Sequence, residues 1–494
     1  MFSRNYLSWI IVILFLCLYL FFPSGSSTTD AWFSAASIKY KGEIFHPHHL
    51  LYNALGYVFC YLPAKAGFDV LASLKVLNAL FAVACLLIVQ KLLRKLDFEE
   101  ILVIIITSLI GLSFAVMRYA TENETYIVPL FFALAASYTF LKYLITGKNR
   151  FVLFTGIWMT IAVLFHQVYF LWWLGLLISL ISAGRKTPVL IYVLISLSGP
   201  LVYLLVIFII SGNIRQETVF NFVLGDMKEG AKLGLSGRGL FLSFVNLIRS
   251  FVQVHGYMFN MTRSNILIIL PGIISGFVVA LSLFRLPEKN RNIKNPRFAY
   301  SHLMIIIMQF VFAMLAFGNA EFMVMIPVLV FILVPLFIAN CEKFLTIILV
   351  SVALWNISYG LLPLHFKSHA PEQFLCDESF QRQDVIVIAS DDQLLKSMLY
   401  YRTGINDAGN IYRSPATIEI KGLKIKILED LINDALKAGI IIYTDCIGSN
   451  TISRASIIEG DLNTDFFMKY ETRPVKTWES NLGKRSVYQI MRKL

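Results

Sequence analysis

The first residues able to do chemistry stand just beyond the opening apolar run, in Thr28-Thr29-Asp30-Ala31-Trp32. A carboxylate at a membrane boundary, beside an aromatic ring, is placed to act as general base on an acceptor hydroxyl. The same Asp30 precedes a short helical pattern, Ala31 to Tyr40, and reads as well as its N-cap. Next comes Phe45-His46-Pro47-His48-His49, three histidines in four positions of a chain that has eight. Metal binding is the sharp reading. Yet His46, His48 and His49 do not share one helix face, and no Cys or carboxylate stands at ligand spacing. No metal is therefore expected to be required, and hydrogen bonding to a phosphate or sugar is the more modest role. The stretch Arg118-Tyr-Ala-Thr-Glu122-Asn-Glu124-Thr-Tyr126 sets two acids close to hydrocarbon, where a carboxylate is costly and has a partner or a task. A pair with Arg118 would satisfy either acid and be worth little. His166, Glu321 and a group of basic residues (Arg215, Arg238, Arg249, His255 and Arg263) complete the set. Singly, topology or solvation explains each. Together, carboxylates, cations and imidazoles on one face read as a site for an anionic head group.

The elements that must position these residues are membrane helices. Of 494 residues, 57% are apolar and only 15% charged, against about 25% charged in ordinary soluble domains. Mean hydropathy is +0.69. Runs of about 20 apolar residues, enough to cross about 30 Å of hydrocarbon, recur at 7–22, 71–93, 101–117, 126–145, 151–165, 168–183, 189–211, 265–284, 300–317, 321–339 and 343–362. This predicts a polytopic α-helical membrane protein with about eleven transmembrane helices. Basic residues follow every second span: Lys91, Arg94 and Lys95; Lys148 and Arg150; Arg185 and Lys186; Lys289, Arg291, Lys294 and Arg297. With Arg4 they mark the cytoplasmic side. The N-terminus is then cytoplasmic, the C-terminus is outside, and the candidate residues above share the outer face.

The first outer loop, 23–70, contains the apolar segment 48–63, closed by Pro63. It is short for a crossing and suits a helix at the interface. Two domains are predicted: a transmembrane catalytic domain, 1–363, and a small C-terminal α/β extracytoplasmic domain, 364–494. In the latter, Asp384-Val-Ile-Val-Ile-Ala-Ser390 reads as a buried strand, followed by a helical stretch through Tyr401. Leu428-xx-Leu431-Ile432-xx-Ala435-Leu436 is an amphipathic helix ended by Gly439, and Ile440 to Thr444 is a second strand of a parallel sheet.

Several classes are disfavoured. The net charge of +12 clusters in short loops that set topology, and no basic stripe with interleaved aromatics suggests nucleic acid. No Gly-rich phosphate loop suggests a nucleotide. Cys376 and Cys446 fall in the outer domain, where a disulfide is permitted by compartment but not shown by sequence. Residues 1–22 have signal-like features, but an uncleaved first helix fits the downstream spans better.

This arrangement resembles the GT-C superfamily of membrane glycosyltransferases, which includes protein O-mannosyltransferases and bacterial aminoarabinose transferases. The likeness runs along nearly the whole chain: a first helix, a long first outer loop with an acid, a second outer loop with another acid, and a soluble outer domain. Asp30 matches the first acid, although Ala31 stands where the family often has a second acidic residue. Glu122 and Glu124 compete for the other. The resemblance implies transfer of a sugar from a polyprenyl-phosphate carrier to a glycan, lipid or protein acceptor hydroxyl, with inversion. Asp30 would be the base. Arg118, an arginine such as Arg263, and His48 or His49 would hold the departing phosphate, with His46, His166, Glu122, Glu124 and Glu321 as further donor or acceptor contacts. The expected compartment is a bacterial inner membrane.

The chief rival is a transporter or flippase of lipid-linked sugars, which predicts midplane charges and internal repeats. The spans offer few of the former, and no repeat is evident. A sensor or assembly role without chemistry would leave the outer acids and histidines unexplained.

Overall fold

A computed structural model describes residues 2–229, 237–254, 261–262, 265–282, 288–290, 292–382, 384–406, 409–415, 423–447, 464–480 and 483–493. The chain forms two compact units: one of 1–24, 43–255 and 268–365, the other of 25–42, 256–267 and 366–494.

The first unit is helical. Its helices are α1 (Phe2–Phe21), then α3 (Tyr52–Lys65), α4 (Val70–Lys95), α5 (Glu100–Leu112), α6 (Phe114–Ala120), α7 (Ile127–Thr146), α8 (Asn149–Phe165) and α9 (Phe170–Ile181). There follow α10 (Lys186–Ser196), α11 (Ser198–Ser211), α12 (Gln216–Glu229), α13 (Gly237–Phe251), α14 (Leu270–Ser282), α15 (Pro296–Leu315), α16 (Met325–Phe337) and α17 (Glu342–Asn356). Helix α2 (Thr29–Tyr40), which follows α1 in the chain, belongs to the second unit. An apolar helix occupies each of the eleven stretches read from the sequence. Among the described residues, six helices are long and apolar enough to cross a membrane, or seven if α5 and α6 form one bent span. Length and composition thus establish a polytopic helical architecture without fixing the number of crossings. Helix α3, at 14 residues, spans only about 21 Å, too little for hydrocarbon, and leaves Val58 and Leu62 both 72% exposed.

Small residues let these helices approach. A Cβ on Gly156 of α8 would stand 3.2 Å from Ile195 of α10, and one on Gly111 of α5 2.6 Å from the Phe15 ring of α1. Buried polar groups find partners on neighbouring helices. His302 of α15 bonds the Phe298 carbonyl through Nδ1 and Ser137 Oγ through Nε2, both at 2.8 Å, and Trp172 Nε1 donates to the same hydroxyl at 3.0 Å. Helices α5 and α6 meet at 65° because Ser113 is extended, which removes a donor from the preceding turn. Asn356 repairs the break: its Nδ2 donates to the carbonyls of Leu112 and Phe251, each at 2.7 Å, and its Oδ1 accepts from Gln253 N at 2.9 Å.

The second unit holds a five-stranded sheet. Strands β1 (Val385–Ala389), β2 (Ile411–Arg413), β3 (Ile441–Thr444), β4 (Glu471–Ser480) and β5 (Gly483–Met491) lie in the order β2-β1-β3-β5-β4. The first three are parallel, and β5 and β4 add an antiparallel edge. Alternation splits β1 between two cores: Val385, Val387 and Ala389 join one, Ile386 and Ile388 the other. The helices are α18 (Ala370–Gln381), α19 (Asp392–Thr403) and α20 (Leu423–Lys437). Asp391 caps α19 by accepting from Leu394 N at 3.0 Å, and Gly404, at φ +81°, closes it. Cys376 and Cys446 are buried in opposite cores and are free thiols, so the permitted disulfide is not formed.

Candidate functional site

The acidic loop between α6 and α7 is wholly buried, from Thr121 to Tyr126. Its backbone is held from outside. Asn78 of α4 donates to the carbonyls of both Glu122 and Glu124, at 2.7 Å each. Tyr52 of α3 donates to Asn123 Oδ1 at 2.8 Å and lies 3.2 Å from Asn78 Oδ1. The two acids are thereby clamped at their carbonyls on either side of Asn123. The carboxylate of Glu122 accepts from Asn123 N at 2.9 Å and pairs with Lys75 at 3.6 Å. Lys75 also donates to the Ser24 carbonyl at 2.6 Å. The cation on Glu122 is therefore Lys75, not the nearby Arg118. The guanidinium of Arg118 lies 5.2 Å from the Tyr119 ring and feels Glu321, Glu124 and Glu122 electrostatically.

Glu321 arrives from a distant part of the chain. Asn319 accepts from its backbone N–H at 3.0 Å, and Tyr126 donates to its Oε2 at 2.8 Å. Tyr126 also links the acids to the histidines. Its ring is 5.1 Å from Tyr119 and 4.8 Å from His166, and His166 in turn meets His49 edge-on at 4.4 Å. His46 and His49 face each other across a tight turn, with His49 N donating to His46 O at 3.0 Å and rings 5.6 Å apart. His48 Nδ1 lies 3.1 Å from Gln167 Oε1, and Gln167 Nε2 donates to Pro47 O at 3.0 Å.

Chemistry at the two central histidines follows from these partners. Val168 N donates to His166 Nδ1 at 3.2 Å, so in the neutral ring the proton is on Nε2. Among the described residues that buried N–H has no hydrogen-bond partner, and neither has His49 Nδ1. Burial, reinforced by His48, pushes the His166 imidazole down to about 3. Burial likewise lowers His49 well below the usual imidazole range, with His166, His46 and His48 adding to it. Both rings are neutral at physiological pH and can donate or accept without bringing charge. They line a cavity of about 930 Å³ together with His48, Tyr126 and Gln167, and the rest of its wall is mostly apolar, with Leu164, Phe170, Trp173 and Phe322 among its members. An apolar cavity with polar groups gathered at one part of its wall suits an amphiphile.

The structure thus gathers His46, His48, His49, Arg118, Glu122, Glu124, His166 and Glu321 in the helical unit. Asp30 is in the second unit. It stands exposed in the first turn of α2, and the N-cap is Thr28, whose Oγ1 accepts from Ala31 N at 3.2 Å. Capping is not the task of Asp30. Arg263, His255 and the side chain of Arg238 lie outside the described residues, while Arg249 donates to Gln253 Oε1 at 3.2 Å. Among the described residues no group of three or more His, Cys, Asp or Glu could hold a metal. Sequence reading missed Lys75, Tyr52, Gln167 and the role of Tyr126. Lys75 carried a signal, a lysine set in the second turn of an apolar span, far from the basic residues at its other end; the others carried none.

No family model matches this chain, and no curated protein matches it in sequence. Solved structures do. The ArnT of Cupriavidus metallidurans, crystallised with undecaprenyl phosphate, superposes with a TM-score of 0.54 at 11% identity, covering 99% of this chain and 98% of that one. The oligosaccharyltransferase of Archaeoglobus fulgidus superposes with a TM-score of 0.52 in its apo form, at 13% identity over 96% of this chain and 73% of that one. The same enzyme tethered with an acceptor peptide gives 0.51, at 12% identity over 99% and 74%. Both neighbours are GT-C glycosyltransferases, and at such identities the likeness is one of fold. This chain has the fold of the GT-C membrane glycosyltransferases.

Proposed function

We propose that the chain is a membrane glycosyltransferase that moves a sugar from a polyprenyl-phosphate carrier to an acceptor hydroxyl outside the cytoplasm, with inversion. The observation that carries this reading is the apolar cavity lined in part by His48, His49, His166 and Gln167, joined through Tyr126 to the cluster of Arg118, Glu122, Glu124 and Glu321. An isoprenoid tail fits the apolar wall, and its phosphate fits the polar one. The cation is supplied by Arg118, helped by Lys75, and His166 Nε2–H donates to a phosphate oxygen. In the reaction, the acceptor oxygen forms a bond to the sugar's anomeric carbon as the bond from that carbon to the carrier phosphate breaks. The acceptor proton passes to Asp30, and the polyprenyl phosphate leaves with the bonding pair. Eleven crossings, a cytoplasmic N-terminus, an outer C-terminal domain and a bacterial inner membrane complete the proposal. The acceptor is a glycan, lipid or protein hydroxyl, and no metal is required.

The test is turnover by the purified full chain on a panel of polyprenyl-phosphate sugars, with free carrier and product followed by mass spectrometry. Wild type turns over at least one donor, and Asp30→Asn loses about 10²- to 10⁴-fold, the usual worth of a general base. Undiminished turnover in Asp30→Asn would move the base to Glu122 or Glu124. Neither turnover nor binding of any lipid donor would sink the proposal.

A further inference from the structure

The helix that carries Asp30 belongs to the α/β unit. At twelve residues, α2 would be a marginal helix by itself, so its placement depends on what it packs against. That partner is α19. Ala31, Ala35, Ala36 and Ile38 are buried on α2, and small side chains permit close helix approach. Above them runs an aromatic seam. The Trp32 ring meets Tyr401 edge-on at 5.1 Å, Phe33 lies 5.8 Å from Tyr400, and Tyr40 stacks on Tyr400 at 6.0 Å. The far end of α2 is tied to the last turn of α19. Tyr40 Oη donates to the carbonyls of Tyr401 and Arg402 at 3.2 and 3.0 Å, and Lys39 Nζ to Tyr401 O at 3.0 Å. These are carbonyls that a helix end leaves without internal donors, and the lysine charge suits the negative pole there. Two glycines clear the seam. A Cβ on Gly42 would run into the Tyr400 hydroxyl, and one on Gly404 would stand 3.1 Å from the Tyr40 ring.

We infer that α19 is the positioning element for Asp30: the seam of Trp32, Phe33 and Tyr40 on Tyr400 and Tyr401 sets the direction in which the carboxylate meets its proton. The inference rests on Asp30 being the base. Tyr400 and Tyr401 act through α2, as positioning residues. A misplaced base slows the proton transfer and leaves binding of the lipid donor alone.

The full chain is assayed with a donor that wild type turns over, and kcat and donor KM are measured separately. Tyr401→Ala and Tyr400→Ala are expected to lower kcat about 10- to 100-fold with donor KM within about 2-fold, and Tyr401→Phe to restore kcat. Tyr40→Phe, which removes only the two hydrogen bonds, is expected to lower kcat about 3- to 10-fold, and it decides the matter if the alanine variants do not fold. Unchanged kcat in folded Tyr401→Ala and Tyr400→Ala, or a loss that Tyr401→Phe does not reverse, overturns the inference. Asp30→Asn is run alongside. Retained turnover there removes the base and this inference with it. Lost turnover there, with unchanged kcat in the seam variants, overturns the positioning role alone.

Discussion

At the scale of single residues, the site divides charge from direction. His166 and His49 are buried and neutral, so in the proposed reaction they would orient by hydrogen bonding, while Arg118 and Lys75 would bring the positive charge that a departing phosphate needs. Arg118→Ala is expected to lower kcat/KM about 10²- to 10³-fold, the effect of removing a preorganised donor from developing negative charge. Arg118→Lys should recover little of it, because a point charge does not replace the planar fork. Steady-state kinetics on the lipid donor checks both. The pH dependence has a definite sign. His166 takes up a proton in the fold only near 3, whereas an unfolded imidazole does so near 6.5. Its burial therefore costs stability progressively as pH falls below about 6.5, yet the ring does not titrate during turnover between pH 5 and 8. His166→Gln should lower activity without moving the inflections of the kcat/KM profile over that range; a shifted inflection would contradict the neutral ring.

At the scale of elements, two asparagines do work that no helical pattern announces. Asn78 holds the carbonyls flanking Asn123, and Asn356 closes the break between α5 and α6. Asn78→Leu would leave the buried carbonyls of Glu122 and Glu124 without the donor that Asn78 supplies. We expect a loss of about 2 kcal/mol or more, read as a lower midpoint of thermal unfolding in detergent, with reduced turnover because both acids lose their anchor. Asn356→Leu should cost as much by exposing the Leu112 and Phe251 carbonyls to hydrocarbon-like surroundings. The bend itself was invisible in the sequence. Residues 101–117 read as one uninterrupted apolar run, and only a donor more than 200 positions away, Asn356, makes the bend affordable at Ser113.

At the scale of the whole molecule, the α/β unit has its own stabilising pair. Arg485 on β5 donates twice to Glu372 on α18, at 2.6 and 3.1 Å. Burial alone would raise the Glu372 carboxyl, but His369 and Arg485 outweigh it and bring it down to about 2. Because the folded value lies below the unfolded one, the stabilisation is present above about pH 4.5 and is lost as pH falls from there through about 2. Glu372→Gln should cost about 2 kcal/mol at neutral pH and flatten the acid limb of the unfolding curve. A midpoint equal to wild type at pH 7 would show the pair to be idle.

What the sequence determined by itself was what depends on local order: the apolar runs, the strand-helix alternation of 384–444, the short α3 and the acids, cations and histidines held between helices. Hydropathy and periodicity act over a few turns, so they are legible without a fold. Tertiary structure alone decided the rest. It paired Glu122 with Lys75 rather than Arg118, brought Glu321 to Tyr126, gave the cap of α2 to Thr28, added the β4–β5 edge to the sheet and assigned α2 to the α/β unit. The Thr28 cap and the β4–β5 hairpin are local; the others join residues far apart in the chain, set by packing and by the need of buried polar groups for partners, and leave no periodic mark in a single sequence.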